Sequence, residues 1–288
     1  MELVVEKKVT VSVIVSVYKN TNALNIVLKS LENQTILPDE IIISEDGNSD
    51  VMKEFVNTLT MKNIDIQHLT CEDIGWRKNI ALNKAIVQSK GEYLIFIDGD
   101  VVPHKRFIEG HLYWSKPMRV CAGKRAEIGE KISQDILSEK LSIDTLCSKY
   151  LLWINKLHKD KVRHYEDGIY IKPNGLFFKY VVSKKHISYI IGCNFSCYKK
   201  DFESINGFNE DYILPSVGED VDINWRFRAS GIEVVSVRNI ANVYHLWHKK
   251  GFGANEGEIN NKILKANKDI NRFVCLNGIK KLSDGEKL

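Results

Sequence analysis

The feature that most constrains this chain is a set of short apolar runs, each ending abruptly in a polar cluster and separated by helical periodicity. Val11 to Val17 reads Val-Ser-Val-Ile-Val-Ser-Val and predicts a strand. Asn20 or Thr21 then supplies an N-cap, and Leu24, Val27, Leu28 and Leu31 fall on one helical face. Ile41-Ile42-Ile43 predicts a second strand, Ile64 to Leu69 a third, Arg77 to Ser89 a helix, and Tyr93 to Ile97 a buried strand that stops at Asp98. Strands apolar on both faces and alternating with helices imply an α/β fold with a mostly parallel central sheet flanked by helices. Ligands of such sheets bind beyond the carboxyl ends of the strands. Tyr18-Lys19-Asn20, Glu45-Asp46 and Asp98-Gly99-Asp100 all lie at those ends.

Beyond this half the pattern blurs from Pro117 to His186, where Ser133 to Leu157 predicts helix. It resumes with a strand at Tyr189 to Gly192, a helix at Asp220 to Ala229 with Val221, Trp225 and Arg228 on one side, a strand at Ile232 to Val237 and a helix at Glu258 to Phe273. We read one domain over 1–288: a nucleotide-binding half (9–116), a variable segment (117–186), an acceptor half (187–250), and a C-terminal helix and tail (251–288).

Composition excludes several classes. Apolar residues make up 44% and charged residues 27% of 288, ordinary for a globular chain. A net charge of +4 is far from that of a nucleic-acid binder. The basic residues crowd between Lys156 and His186 (Lys159, Lys161, Arg163, Lys172, Lys179, Lys184 and Lys185 among them), which reads as a solvated loop or as contact with a phosphate-bearing acceptor or an anionic membrane surface. The six cysteines are scattered and read as reduced thiols. Met1 to Lys8 lacks the apolar core of a signal peptide, and no run approaches the roughly 18 apolar residues of a membrane span. A cytoplasmic protein, peripheral at the inner face of the membrane, is expected.

Four segments carry chemistry. Asp98-Gly99-Asp100 offers two carboxylates at a strand end, a pattern that can hold a hard divalent cation together with diphosphate oxygens, though an Asp-Gly turn after any buried strand looks the same. His245-Leu246-Trp247-His248 places two imidazoles three residues apart, together on one helical turn or with one pointing in while the other caps the site; they suit Mn²⁺ better than Ca²⁺, and one of the two can instead be a structural hydrogen-bonder. Gly218-Glu219-Asp220-Val221-Asp222 opens a predicted helix; helix-dipole capping explains acidic residues there, and so does a carboxylate that takes a proton from an acceptor hydroxyl. In Gly75-Trp76-Arg77-Lys78-Asn79, with Asn83, either Arg77 or Lys78 can neutralise a diphosphate.

These residues, in this order, resemble a family 2 inverting glycosyltransferase of GT-A (Rossmann-like) fold. The likeness is closest to bacterial chondroitin-polymerase-like domains with a β-1,4-galactosyltransferase-like later region, and spans about Val11 to Lys250. Ser16, Val17 and Tyr18 end the strand that resembles the family's nucleoside-contacting strand. Ile43 to Asp50 resembles its Asp-Asp-Gly-Ser segment, with Glu45 in place of the first Asp, so uracil recognition falls on Asp46 or on both. The segment Asp73 to Ile86, containing Trp76, Arg77 and Asn83, resembles the Gly-Phe-Arg…Arg-Asn segment, with Leu82 where many members have Arg. Asp98 to Pro103, followed by His111, resembles the metal signature.

The resemblance implies a UDP-sugar donor held by Ser16, Val17, Tyr18, Glu45, Asp46, Trp76, Arg77, Asn83, Asp98 and Gly99. It implies Mn²⁺ (or Mg²⁺) on Asp100 with His245, His248 or both, while Asp98 contacts ribose or metal-bound water. Asp220 becomes the base with Glu219 beside it, and Asn194 and Trp225 contact the acceptor, a glycan or lipid-linked glycan of a bacterial surface polysaccharide. A nucleotidyltransferase would usually carry a Gly-rich phosphate loop near the first strand, which Val11 to Thr21 lacks; a non-catalytic glycan-binding module would have no need of the acidic set.

Overall fold

The computed structural model describes residues 9–178, 189–249, 255–286 and 288. Lys179, Lys184, Lys185, His186 and Lys250 from the sequence reading lie outside the described residues, as does Met1 to Lys8.

Among the described residues, the first half runs β1 (Val11–Val17), α1 (Thr21–Glu32), β2 (Glu40–Glu45), α2 (Asp50–Asn57), β3 (Asp65–Thr70), α3 (Lys78–Gln88) and β4 (Tyr93–Asp98). The caps are local. The Asn20 side chain accepts from the Ala23 amide (3.1 Å) to start α1, and the Ser49 hydroxyl from Met52 (3.4 Å) to start α2. Then follow β5 (Val101–Pro103), α4 (Phe107–Tyr113), β6 (Arg119–Ala122), β7 (Ala126–Glu127), α5 (Gly129–Leu137), α6 (Ile143–Ser148), α7 (Tyr150–Lys159) and a 3₁₀ turn at Tyr165–Gly168. The chain continues with β8 (Asn194–Tyr198), α8 (Lys199–Glu203), α9 (Asp220–Ala229), β9 (Glu233–Ser236), β10 (Val243–His245) and α10 (Asn255–Asp269).

The main sheet has the order β3-β2-β1-β4-β8-β6-β9. The β3-β2-β1-β4 half is parallel, β8 lies antiparallel between β4 and β6, and β6 pairs parallel with β9. The run of strands reverses direction across β1 and β4, where Ser16 lies in register with Asp98. That reversal opens the crevice in which open α/β sheets bind ligands. A small second sheet, β5-β10-β7, stands beside it.

Apolar residues on both strand faces have the consequence expected of them. Val11, Val13, Val15, Ile41, Ile43, Tyr93 and Ile95 bury toward α1 and α2 on one side. Ile14, Ile42, Leu94 and Phe96 bury with Leu82, Phe195, Phe208 and Phe227 on the other. Each fully buried side chain of this size contributes about 1.5–3 kcal/mol relative to exposure. In α9 the outward face carries Val221 and Arg228. Its inward face carries Ile223 and Phe227 with a buried ion pair, Arg226 Nε to Asp222 Oδ2 at 2.6 Å.

Three expectations are corrected here. The strand expected at Tyr189 to Gly192 begins at Asn194, because that stretch turns before pairing with β4. Ser133 to Leu157 is three helices rather than one, broken at Ser138 to Ser142 and at Lys149. His245 and His248 are not on a helical turn: His245 ends β10 and His248 follows in the connection after it. The expectation of unpaired cysteines matches six free thiols. No helix among the described residues is long and apolar enough to cross a membrane.

Two buried histidines tie the halves together. His111 Nε2 lies 3.0 Å from Asn194 Oδ1, and its Nδ1 is 2.7 Å from Ser196 Oγ. Asn194 Nδ2 donates to the Lys124 and Ala241 carbonyls, so its Oδ1 is the acceptor; His111 is neutral with the proton on Nε2. Burial pushes His111 down to about 3, against the Asn194 hydrogen bond, and burial beside Lys105 and Arg106 pushes His104 down to about 4. As pH falls below the ordinary 6.5, the unfolded chain takes up protons that these folded histidines refuse, so stability is lost on acidification. Each should contribute a slope of roughly 1.4 kcal/mol per pH unit between 6.5 and its folded value. Denaturant unfolding between pH 7 and 5 should show a shallower slope for His104→Gln than for the parent; equal slopes would refute the assignment.

Candidate active site

The end of β4 and the start of α9 line one cleft, and β1 ends beside β4 with Ser16 in register with Asp98. Asp98-Gly99-Asp100 leaves the end of β4 under tight constraint. The Gly99 amide donates to the Ser16 carbonyl (2.7 Å), and a Cβ on Gly99 would press against Val17. Gly99 is therefore set by its close approach to β1.

Asp100, His245 and His248 bring one ligand atom each to within 4.8 Å of one another. His245 Nε2 is 3.7 Å, and His248 Nε2 3.3 Å, from Asp100 Oδ2. The other nitrogen of His245, Nδ1, is 2.9 Å from Glu127 Oε2. A carboxylate on the far nitrogen orients an imidazole so that its free nitrogen faces a metal. Burial opposes protonation of His245, but hydrogen bonds to Asp100 and Glu127 outweigh it and raise the imidazole to about 9. Asp100 and Glu127 are pulled below the ordinary carboxylate range by His245, against their own burial. One carboxylate and two imidazoles, backed by a second carboxylate, form a donor set that fits Mn²⁺. This triad borders a cavity of about 1530 Å³, with Arg125 and Trp247 on its wall.

A second cavity, of about 430 Å³, adjoins it. Asp98, Arg125, Glu127 and His164 line both. Its far wall holds Trp76, Glu219 and Asp220. Lys78 crosses the floor, its ammonium 2.8 Å from Asp98 Oδ1 and 2.9 Å from Glu219 Oε2. Burial raises Glu219 to about 7, with Asp98 and Asp220 adding to the effect and Lys78 working against it. Its second oxygen, Oε1, is buried without a partner among the described residues, and a Cβ on Gly192 would overlap that carboxylate. Asp220 opens α9. Burial raises its pKa, while the backbone amides of Val221 and Gly192 stabilise the charged form and oppose that rise.

Other expected site residues are placed differently. Glu45 is fully buried, accepting from the Ser49 amide (3.0 Å) and contacting His68 Nε2 (2.9 Å), and it braces the turn after β2. Asp46 joins β2 to α3, its two oxygens 3.1 and 3.0 Å from the Arg77 amide. The Arg77 guanidinium donates to the Trp76 carbonyl (3.0 Å), so between Arg77 and Lys78 it is Lys78 that faces the cleft. Asn83 is a strut rather than a donor contact: it exchanges hydrogen bonds with the Phe208 backbone (both 2.8 Å) and donates to Glu210. With Asn79, which donates to the Gly218 carbonyl (3.0 Å), it clamps α3 to the loop leading to Glu219 and Asp220. Asn194 is likewise consumed in the scaffold, and Trp225 packs under Lys268 of α10 (5.9 Å) instead of lining the cleft. Tyr18 is half exposed at the end of β1, its hydroxyl 3.3 Å from Asp73.

Sequence reasoning missed Glu127, which lies in a two-residue strand and is brought to His245 by register rather than by any local pattern.

Comparison with known proteins bears on this geometry. The family profile described as Glycosyl transferase family 2 matches residues 12–185, more than half of the chain, and that of the N-terminal domain of galactosyltransferase matches 174–249. The chain is 25% identical over 109 residues to chondroitin synthase of Pasteurella multocida, covering 38% of this chain and 11% of that protein. It is 31% identical over 101 residues to glycosyltransferase AglE of Haloferax volcanii (34% and 33%). To a GalNAc(5)-diNAcBac-PP-undecaprenol β-1,3-glucosyltransferase of Campylobacter jejuni it is 32% identical over 89 residues (31% and 29%). The aligned stretch thus spans a third or less of each relative's length. Two solved structures share the fold. The mannosyltransferase PcManGT of Pyrobaculum calidifontis, in complex with GDP-Man and Mn²⁺, has a TM-score of 0.54 at 15% identity, covering 93% of this chain and 64% of that one. GalNAc-T7 with UDP, GalNAc and Mn²⁺ has a TM-score of 0.61 at 12% identity, covering 91% and 48%.

Proposed function

Because the chain belongs to glycosyltransferase family 2, we propose that it moves a hexose or N-acetylhexosamine from a UDP-sugar to a hydroxyl of a glycan or lipid-linked glycan, with inversion, in the building of a bacterial surface polysaccharide. One observation carries the reading: the Asp100–His245–His248 triad borders one cavity and Asp220 an adjoining one, with Asp98, Arg125, Glu127 and His164 lining both. Such an arrangement sets a metal-assisted leaving group beside a base for the attacking hydroxyl. The nucleotide, sugar and Mn²⁺ in the names of the two structural neighbours support a nucleotide-sugar donor, and the undecaprenol-linked glycan in the name of the C. jejuni relative supports a lipid-linked acceptor.

Asp100, His245 and His248 would hold Mn²⁺ or Mg²⁺, which when bound supplies Lewis-acid neutralisation of the departing diphosphate. The uridine lies along the ends of β1 and β2, against Ser16, Val17, Tyr18 and Asp46, with Trp76 beside it. Lys78, poised between Asp98 and Glu219, adds a positive charge near the phosphates. Asp220 takes the proton of the acceptor hydroxyl as its oxygen bonds to the anomeric carbon; the bond from that carbon to the phosphate oxygen breaks, and UDP leaves with the electron pair. Attack opposite the leaving group inverts the centre. A carboxylate whose pKa burial has raised is a better base than one in water.

A panel of UDP-sugars incubated with Mn²⁺, with Mg²⁺ and with EDTA tests this reading. Release of UDP from one sugar, abolished by EDTA, is the expected result. Absence of both UDP binding and turnover with every metal would overturn it.

A further inference from the structure

On the wall of the smaller cavity one buried ammonium has no carboxylate partner among the described residues. In the smaller cavity Asp98 and Glu219 are paired with Lys78, Glu127 with His245 and Arg125, and Asp167 with Arg238. Lys124 follows β6, and its carbonyl is fixed by the Asn194 amide (2.7 Å). Its ammonium is buried and has no hydrogen-bond partner among the described residues. It lies 2.9 Å from the ring centroid of Tyr189, whose side is half exposed to solvent. A ring face attracts a cation but does not replace the hydrogen bonds that three N–H donors lose on burial. A buried ammonium held in this way, on the wall of a cleft, is a site prepared for an anion.

Its position says which anion. Lys124 lines the cavity that holds Asp220 and does not line the one that holds the metal triad, whereas Arg125 lines both. Lys124 thus lies on the Asp220 side of the cleft, away from Asp100, His245 and His248, where an anion would belong to the molecule that Asp220 deprotonates. We propose that Lys124 and Tyr189 form an acceptor subsite: the ring swings aside as a platform for a sugar face, and the ammonium pairs with an anionic group of the acceptor, a carboxylate or a phosphate. The acceptor is then an acidic glycan or a phosphate-linked one. This deepens the transferase reading above and rests on it.

The test uses the full chain saturated with UDP and Mn²⁺, so that the donor site is filled. Methyl β-glucuronide, glucose 6-phosphate and the neutral methyl β-glucoside are titrated by calorimetry or saturation-transfer NMR. A charge-assisted contact should make at least one anionic probe bind about tenfold tighter than the glucoside, and the tighter of the two identifies carboxylate or phosphate as the group recognised. Lys124→Met should bring that probe to the level of the glucoside while leaving UDP affinity unchanged. Should Lys124→Met fail to fold, Lys124→Arg is the second variant, expected to keep the preference, and added salt should erode the preference in the parent. Equal binding of charged and neutral probes, or a loss of UDP affinity in place of probe affinity, would overturn the subsite. If UDP and Mn²⁺ do not bind at all, the donor-site reading fails instead, and the two failures are distinguishable.

Discussion

Asp220→Asn should slow sugar transfer by roughly 10²–10⁴-fold, the usual worth of a positioned general base, while UDP and metal binding stay unchanged. The substitution keeps the shape and the backbone hydrogen bond to Val221 and removes only the proton acceptor. The loss should fall on the rate constant rather than on the KM for donor. Glu219→Gln is the companion measurement. Glu219 is committed to Lys78 at 2.9 Å and is held near 7 chiefly by burial. Its replacement should loosen Lys78 and raise the KM for donor more than it lowers the rate. A reversed pattern, with Glu219→Gln the slower enzyme at saturating donor, would transfer the base role to Glu219. Burial raises Asp220, so in the parent transfer should rise with pH as Asp220 loses its proton, with a midpoint above the ordinary 3.8.

Asp100→Ala should abolish metal-dependent UDP binding and lower transfer by about a thousandfold or more, because Lewis-acid stabilisation is worth several kcal/mol and each 1.36 kcal/mol is tenfold in rate. Asp100 is the one carboxylate of the triad, and both imidazoles converge on its Oδ2. Glu127→Gln should act at one remove. It leaves Asp100, His245 and His248 in place but weakens the orientation of His245, so metal affinity should fall about 10–100-fold and recover with excess Mn²⁺. Excess metal should not rescue Asp100→Ala. Titration of each variant with Mn²⁺, followed by UDP binding, separates these outcomes. If Asp100→Ala kept the parent's metal affinity, the triad would not be the metal site.

The strand runs, their polar ends and the helices between them were legible because each rests on a local pattern: apolar continuity, a 3.6-residue period, or a cap such as Asn20 or Ser49. The polar residues at the strand ends were legible as a group but not one by one. Glu45 and Asp46 are neighbours at the end of β2, yet Glu45 is turned into the scaffold by Ser49 and His68 while Asp46 meets Arg77. Arg77 and Lys78 looked interchangeable, and only the path of α3 sends the Lys78 side chain to Asp98 and Glu219. The blurred region hid three helices because breaks such as Ser138 to Ser142 interrupt any single period.

By itself the sequence determined an α/β sheet with a carboxylate pair at the end of β4, since both are written in contiguous residues. What only the tertiary structure decided is which polar side chains are free to do chemistry. Asn83 is taken by Phe208, 125 residues away, and Asn194 by Ala241, 47 residues away. His245 is oriented by Glu127 across 118 residues, and the Lys124 ammonium meets the ring of Tyr189, 65 residues away, rather than a carboxylate. A hydrogen bond is satisfied by whichever group the fold brings within about 3 Å, and that distance is set by packing rather than by position in the chain.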